Sequence, residues 1–293
     1  MKLRLFFSVI GALVLNLSVS AQQPKTLLWQ VSGNGLSKPS FVFGTMHLLC
    51  SAEEMMSDSL LSVLSRSEQV FFEIDMDNQG EMLGVFKFIR MKDNKKIGDL
   101  LSPDEYQRVK TYFSNNKTVL PLSMMERFKP YFVAAMLSEA KMPCGTKTGM
   151  EELILKQAKK EGKPISGLET IEFQASVFDS IPYEEQAKEL LKAIDEEAKQ
   201  DSFTNRMAAI YLAQDLDQIE QLTLDEEGGV SSYLELFLYG RNANWIPAME
   251  AAMKKQPALF AIGAAHLPGD KGVLNLLKKA GYKVEPVPNP VRK

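Results

Sequence analysis

The chain of 293 residues has only two histidines, His47 and His266, and each stands three positions after a glycine and just before a leucine. Gly44-Thr45-Met46-His47-Leu48 follows the apolar run Phe41-Val42-Phe43, and Gly263-Ala264-Ala265-His266-Leu267 follows Leu259-Phe260-Ala261-Ile262. A glycine at a strand end lets the chain turn sharply, and the strand ends of an α/β sheet are where ligands bind. An imidazole there offers a metal ligand or a base. The third candidate is Glu73, inside Phe71-Phe72-Glu73-Ile74-Asp75. A carboxylate in an apolar strand is costly to bury without a partner. If Phe72 and Ile74 face the core, Glu73 faces the opposite side, which is also covered when helices flank both faces. Two histidines and one carboxylate are a common ligand set for a catalytic divalent metal, with positions left for water.

These residues need elements to hold them. Phe41 to Met76 and Leu259 to Val287 share one pattern: strand, Gly-x-x-His-Leu, loop, helix, strand. Repetition of one supersecondary unit predicts an α/β protein whose mixed sheet is built from the two ends. Gly33-Asn34-Gly35 between apolar runs predicts a β-hairpin leading into the first unit. The middle, from about 80 to 257, reads as a large helical insertion with one embedded strand, Ile165 to Leu168, ending at Glu169-Thr170. Ser102-Pro103-Asp104-Glu105 is a helix-starting capping box. Pro130 should kink or divide the helical stretch Met124 to Lys141. Four or so helices follow Ile171, broken near Pro182, Asp201 and Gly228-Gly229, the last of them a long helical pattern from Tyr233 to Lys255.

Arg241 and Trp245 lie four apart on that last pattern and share a face. Arg241 could clamp a substrate carboxylate or stabilise an oxyanion, with Asn242 donating beside it. Equally, it could cover Trp245 or pair with a buried Glu73 or Glu169.

The start of the chain carries a different signal. Lys2 and Arg4 precede an apolar run from Leu5 to Val19, and Val19-Ser20-Ala21 offers small residues for cleavage. Residues 1–21 read as a secretory signal peptide, too short for a membrane-spanning helix of roughly 20 apolar residues. The expectation is a single domain over 22–293, periplasmic or secreted, with no stable membrane insertion after cleavage. Removing Lys2 and Arg4 takes the formal charge from −3 to −5, with both signs interspersed. That balance gives no electrostatic case for nucleic acid. Export makes a bond between the two cysteines, Cys50 and Cys144, the leading expectation. The alternatives are Cys50 as a metal ligand in His-x-x-Cys and Cys144 as a nucleophile.

The same residues, taken in order, carry a family resemblance. Gly44-Thr45-Met46-His47, Glu73, Gly149-Met150-Glu151, Gly162-Lys163-Pro164-Ile165-Ser166-Gly167-Leu168-Glu169-Thr170, Arg241-Asn242-Ala243-Asn244-Trp245 and Gly263-Ala264-Ala265-His266 resemble the TraB/PrgY/GumN family. That family is related to the Tiki proteins, metal-dependent proteases with paired Gly-x-x-His motifs, and to EreA-like and ChaN-like proteins. The resemblance implies a secreted α/β protein whose site includes His47, Glu73 and His266. Relatives commonly carry aspartate where this chain has Glu151, one methylene longer, so the metal role does not carry over to it, and Glu151, Asn242 and Glu169 are expected as substrate contacts. The resulting expectation is a metal-dependent hydrolase, a peptidase, using Mn, Co or Zn. His47, His266 and Glu73 hold the metal or activate water, Arg241 stabilises developing charge, and the substrate is a peptide or small molecule. The rival is a non-catalytic protein that sequesters a peptide or cofactor in the same pocket. An esterase using histidine as base without metal is the third reading.

Overall fold

A computed structural model describes residues 24–142, 144, 147–225 and 231–292. The expected signal peptide and the Gly228-Gly229 break lie outside the described residues. Six strands form one mixed sheet: β1 (Leu28–Ser32), β2 (Ser40–Thr45), β3 (Gln69–Ile74), β4 (Ile165–Glu169), β5 (Ala258–Gly263) and β6 (Lys283–Pro286). Their spatial order is β4-β3-β5-β2-β1-β6. The first four in that order run parallel, and β1 is antiparallel to both β2 and β6. The hairpin expected at Gly33-Asn34-Gly35 joins β1 to β2, with Leu28 opposite Phe43.

Helix α1 (Asp58–Arg66) links β2 to β3. Between β3 and β4 lie α2 (Gln79–Phe88), α3 (Ile97–Leu100), α4 (Pro103–Asn115), α5 (Leu122–Met125), α6 (Pro130–Lys141) and α7 (Met150–Lys160). Between β4 and β5 lie α8 (Ile171–Asp179), α9 (Tyr183–Asp195), α10 (Glu197–Leu212), α11 (Leu216–Leu224) and α12 (Gly240–Lys255), and α13 (Val273–Lys279) links β5 to β6. Strand β4 therefore comes from the middle of the chain and forms the sheet edge, so the ends alone do not build the sheet. The ends supply its other five strands.

The strands of the two terminal units interleave. β5 lies between β2 and β3, while β2 and β1 lie between β5 and β6. One crossover moves along the sheet in one direction and the other moves back, so two connections of the same hand must place their helices on opposite faces. The cores follow that rule. Leu60, Val63 and Leu64 of α1 pack with Phe41, Phe43, Leu259 and Phe72. Val273, Leu274 and Leu277 of α13 pack on the other face with Val42, Phe260, Ile262 and the α12 residues Trp245 and Met249. Strand alternation sends neighbouring residues to these two cores. A third apolar cluster, with Ile97, Met125, Phe128, Val133 and Leu190, joins the helices of the middle segment.

Local signals act where the chain places them. The Ser102 and Glu105 side chains form the capping box of α4, with Pro103 at its first turn. Pro130 divides the expected helix by starting α6. The break expected near Asp201 falls at Glu196, between α9 and α10, and α10 then runs through Asp201 to Leu212 before the chain turns at Gln214, where φ is 54°. The long pattern from Tyr233 is also not one regular helix. A π-helical turn over Glu235–Tyr239 precedes α12, which then carries Pro247 in its interior. Among the described residues, no helix is long and apolar enough to cross a membrane.

Candidate active site

Strands β2 and β5 are parallel neighbours, with Thr45 opposite Gly263. The two Gly-x-x-His segments, 219 positions apart in sequence, therefore leave adjacent strands at the same edge of the sheet. Their glycines serve close approach rather than a left-handed turn. A Cβ on Gly44 would meet Ala264 at 3.2 Å, and one on Gly263 would meet Glu73 Oε1 at 3.0 Å. Beyond the strands the two segments diverge. Ala264–His266 forms a 3₁₀ turn that folds His266 inward to 4% exposure, whereas the His47 side chain is three-quarters exposed.

His266 belongs to a buried network centred on Arg241. Arg241 Nη2 donates to Glu73 Oε2 and Glu169 Oε1, both at 2.6 Å, and Nε donates to Glu169 Oε1 at 3.1 Å. Nη1 donates to the Phe237 carbonyl at 2.8 Å and lies 3.3 Å from His266 Nε2. Arginine has no acceptor, so Nε2 must accept. The His266 proton is then on Nδ1 and donates to Asn242 Oδ1 at 2.6 Å. Asn242 Nδ2 donates to the Lys271 carbonyl, and Trp245 Nε1 donates to Glu169 Oε2 at 2.9 Å. Burial pushes the His266 imidazole far below its ordinary value, and the Arg241 charge adds to that, so the ring is neutral.

This arrangement answers the alternatives left open for Arg241. It is 7% exposed and pairs with Glu73 and Glu169. The expected oxyanion or substrate contact would require those bonds to break. Asn242 and Glu169, expected as substrate contacts, are spent inside the same network. Glu73 is buried as anticipated, and both of its oxygens have donors: the Gly263 N–H on Oε1, and Arg241 with Gln174 Nε2 on Oε2. Burial raises the Glu73 carboxyl, but the neighbouring positive charge and the Gly263 N–H win and hold it low. Gln174 was not singled out from sequence. Its signal is position: Thr170, directly after β4, caps α8, and Gln174 lies one turn further on.

The second half of the site is open. A pocket of about 240 Å³ is lined by His47, Glu73, Glu151 and Gln174, with Leu48, Phe72, Ile74 and Met76 as its apolar wall and Gly149 and Glu152 completing it. His47 Nδ1 lies 2.8 Å from Glu151 Oε1. The Glu151 carboxylate is buried, and His47 is its partner in this short contact. The Thr45 side chain is buried beside the same carboxylate. The Glu151 carboxylate raises the His47 pKa, and although burial raises the Glu151 carboxyl, His47 draws it below its ordinary value. Glu151, expected as a substrate contact, is thus the direct partner of His47.

Gly149 makes that pairing possible, because a Cβ there would lie 2.3 Å from the His47 carbonyl oxygen. The two segments are also laced by backbone bonds, Leu49 N–H to the Thr148 carbonyl, Thr148 N–H to the Leu49 carbonyl, and Met150 N–H to the Met46 carbonyl. Cys50 and Cys144 form a disulfide with Cα atoms 5.7 Å apart, closing 94 positions. Neither cysteine is therefore a ligand or a nucleophile here. The chain-entropy account gives such a loop about 4–5 kcal/mol. Reduction is expected to shift the urea midpoint downward by a corresponding amount, and equal midpoints with and without reductant would contradict this.

The chemistry of the donors tests whether a metal ion fits. Among the described residues, no three His, Cys, Asp or Glu side chains are grouped so as to hold a metal ion. Of the expected trio, His266 Nε2 lies 3.6 Å from Glu73 Oε1 but is engaged by Arg241, while His47 pairs with Glu151. The part that does suit a cation is the His47–Glu151 pair, a buried carboxylate beside an exposed imidazole, facing a pocket that Glu73 shares.

The fold and site define an α/β protein with two Gly-x-x-His segments at neighbouring strand ends and a buried carboxylate–arginine network beside a small acidic pocket. The profile of the TraB/PrgY/gumN family matches residues 27–286, and the chain belongs to that family. It is similar to metalloprotease TIKI2 of Danio rerio, 23% identical over 92% of this chain and 62% of the relative. It is also similar to metalloprotease TIKI1 of Homo sapiens, 21% identical over 93% of this chain and 64% of the relative. A metalloprotease TIKI homolog of Amphimedon queenslandica is 23% identical over 90% of this chain and 63% of the relative. The chain spans just under two thirds of the length of these relatives. No solved structure matches it significantly.

Proposed function

We propose that the protein is a metal-dependent hydrolase acting on peptide bonds, with the His47–Glu151 pair at the working end of the site. The observation that carries this reading is the buried Glu151 carboxylate 2.8 Å from the exposed His47 imidazole in a pocket shared with Glu73. The relatives named metalloproteases support the class of reaction. A divalent ion held by His47 and Glu151 would supply Lewis acidity, polarising a carbonyl and lowering the pKa of water.

The chain's own groups do the rest. Glu73, held ionised by Arg241 and the Gly263 N–H, presents a fixed negative charge at the pocket and can accept a proton from an attacking water. Arg241 acts as a positioning residue that keeps Glu73 and Glu169 in place. Neutral His266 and Asn242 hold Arg241 and the second loop from behind. The disulfide supports export to an oxidising compartment, periplasmic or extracellular.

The test is incubation of the chain from residue 22 onward with a peptide mixture, followed by mass spectrometry, with and without a chelator. Cleavage that stops with chelator and returns with Mn, Co or Zn is the expected result. Chelator-resistant cleavage would remove the metal, and no cleavage would remove the hydrolase reading.

A further inference from the structure

A second cleft, of about 700 Å³, opens beside Leu267 and Pro268, directly after His266, and shares no lining residue with the first. Its floor is apolar, with Trp29 of β1, Leu216, Leu267 and Leu274. Asp217 and Glu220, three apart on one face of α11, line it, and Lys278 lines it from α13. Among the described residues these three side chains have no ion-pair or hydrogen-bond partner, so the two signs share the cleft without pairing with each other. Lys271, also in the lining, is held 2.8 Å from Glu235.

Solvated charges alone would mean little. Two further observations point to a ligand. Trp29 is 6% exposed and its indole N–H has no acceptor, although proteins pair nearly all of their buried donors. Gly269, in the same lining, has φ of 80°, and a Cβ there would collide with the Glu220 carboxylate, so the glycine makes room for that acid at the cleft. The volume falls in the range of small-ligand sites, about 300–1,000 Å³. An inorganic anion would meet the carboxylates, a metal ion would leave Lys278 and the apolar floor without a partner, and a hydrocarbon would leave every charge without one. A short peptide with free ends brings an ammonium, a carboxylate, apolar side chains and a carbonyl acceptor for an N–H donor.

We propose that this second cleft binds a short apolar peptide with free termini, its ammonium on Asp217 and Glu220, its carboxylate on Lys278 and its side chains on the floor of Trp29, Leu216 and Leu274. The proposal does not rest on the hydrolase reading. Each terminal charge meets a partly solvated partner, and a pair of that kind changes affinity by about fivefold.

The experiment uses the fact that the chain has two tryptophans, Trp29 and Trp245. Its proton–nitrogen correlation spectrum therefore holds two indole peaks, assigned with Trp29→Phe or Trp245→Phe. Titration with Leu-Leu, in the presence of a chelator, is expected to move the Trp29 peak to saturation. Blocking either end of the peptide, by acetylation or amidation, should weaken binding about fivefold. Lys278→Gln should do the same, as should Asp217→Asn combined with Glu220→Gln, and either variant keeps the test valid should the other fail to fold. A Trp29 peak that does not move overturns the proposal, and so does equal affinity for free and blocked peptides or for wild type and both variants. A shift confined to the Trp245 peak, whose N–H bonds Glu169 in the candidate active site, also overturns it. None of these outcomes measures cleavage, so the hydrolase reading stands or falls separately.

Discussion

Arg241→Met is expected to destabilise the protein by about 3–5 kcal/mol, because it leaves Glu73 and Glu169 buried without their shared cation. Methionine keeps much of the side-chain volume, so the loss reports charge rather than a cavity. The pH dependence has a definite sign. In the wild type, the Glu73 carboxyl is held below its unfolded value, so its contribution is present above the ordinary carboxylate range and fades as pH falls through the lowered folded value. Glu169 is shifted the other way by burial, so its folded form is relieved by protonation. Without Arg241 both carboxyls would protonate readily in the folded state. The deficit of the variant should therefore be largest at neutral pH and narrow on acidification. Urea unfolding of both proteins at several pH values checks this, and a deficit that widens as pH falls would contradict it.

Glu151→Gln is expected to lower kcat/KM by at least about 100-fold, the scale of losing a positioned acid–base or ligand-holding group. It should do so with little loss of stability. The amide keeps the shape of the carboxylate, and the partner it leaves, His47, has a side chain three-quarters exposed to water. Turnover of any peptide found to be a substrate, beside thermal unfolding of both proteins, separates the two effects. Unchanged turnover in a folded variant would show that His47 works without this partner.

The sheet was legible where short-range patterns decide structure. Apolar runs ending in glycine marked β2 and β5, the hairpin residues marked β1, and Ile165 to Leu168 marked β4. Neighbour order was not legible, because β5 enters between β2 and β3 through contacts more than 180 residues apart. The same limit governs the site. Glu73 announced itself as an acid in an apolar strand, and Arg241 as a cation beside Trp245 on one helix face. Whether Arg241 would meet substrate or Glu73 and Glu169 depends on how α12 packs against β3 and β4. The two matching Gly-x-x-His segments suggested matching roles for the histidines. A 3₁₀ turn after Gly263, absent after Gly44, buries one and exposes the other. Glu151 was misplaced for a related reason: its partner His47 lies 104 positions away, and the disulfide with Gly149 brings the two segments into register.

The most direct test of the account is the metal content of the purified protein after exposure to Mn, Co or Zn and dialysis, compared among wild type, Glu151→Gln and His266→Gln. The account expects about one ion per wild-type chain, loss of that ion in Glu151→Gln, and retention in folded His266→Gln, whose side chain can still accept from Arg241. An ion kept by Glu151→Gln and lost by His266→Gln, or no ion in the wild type, would contradict it.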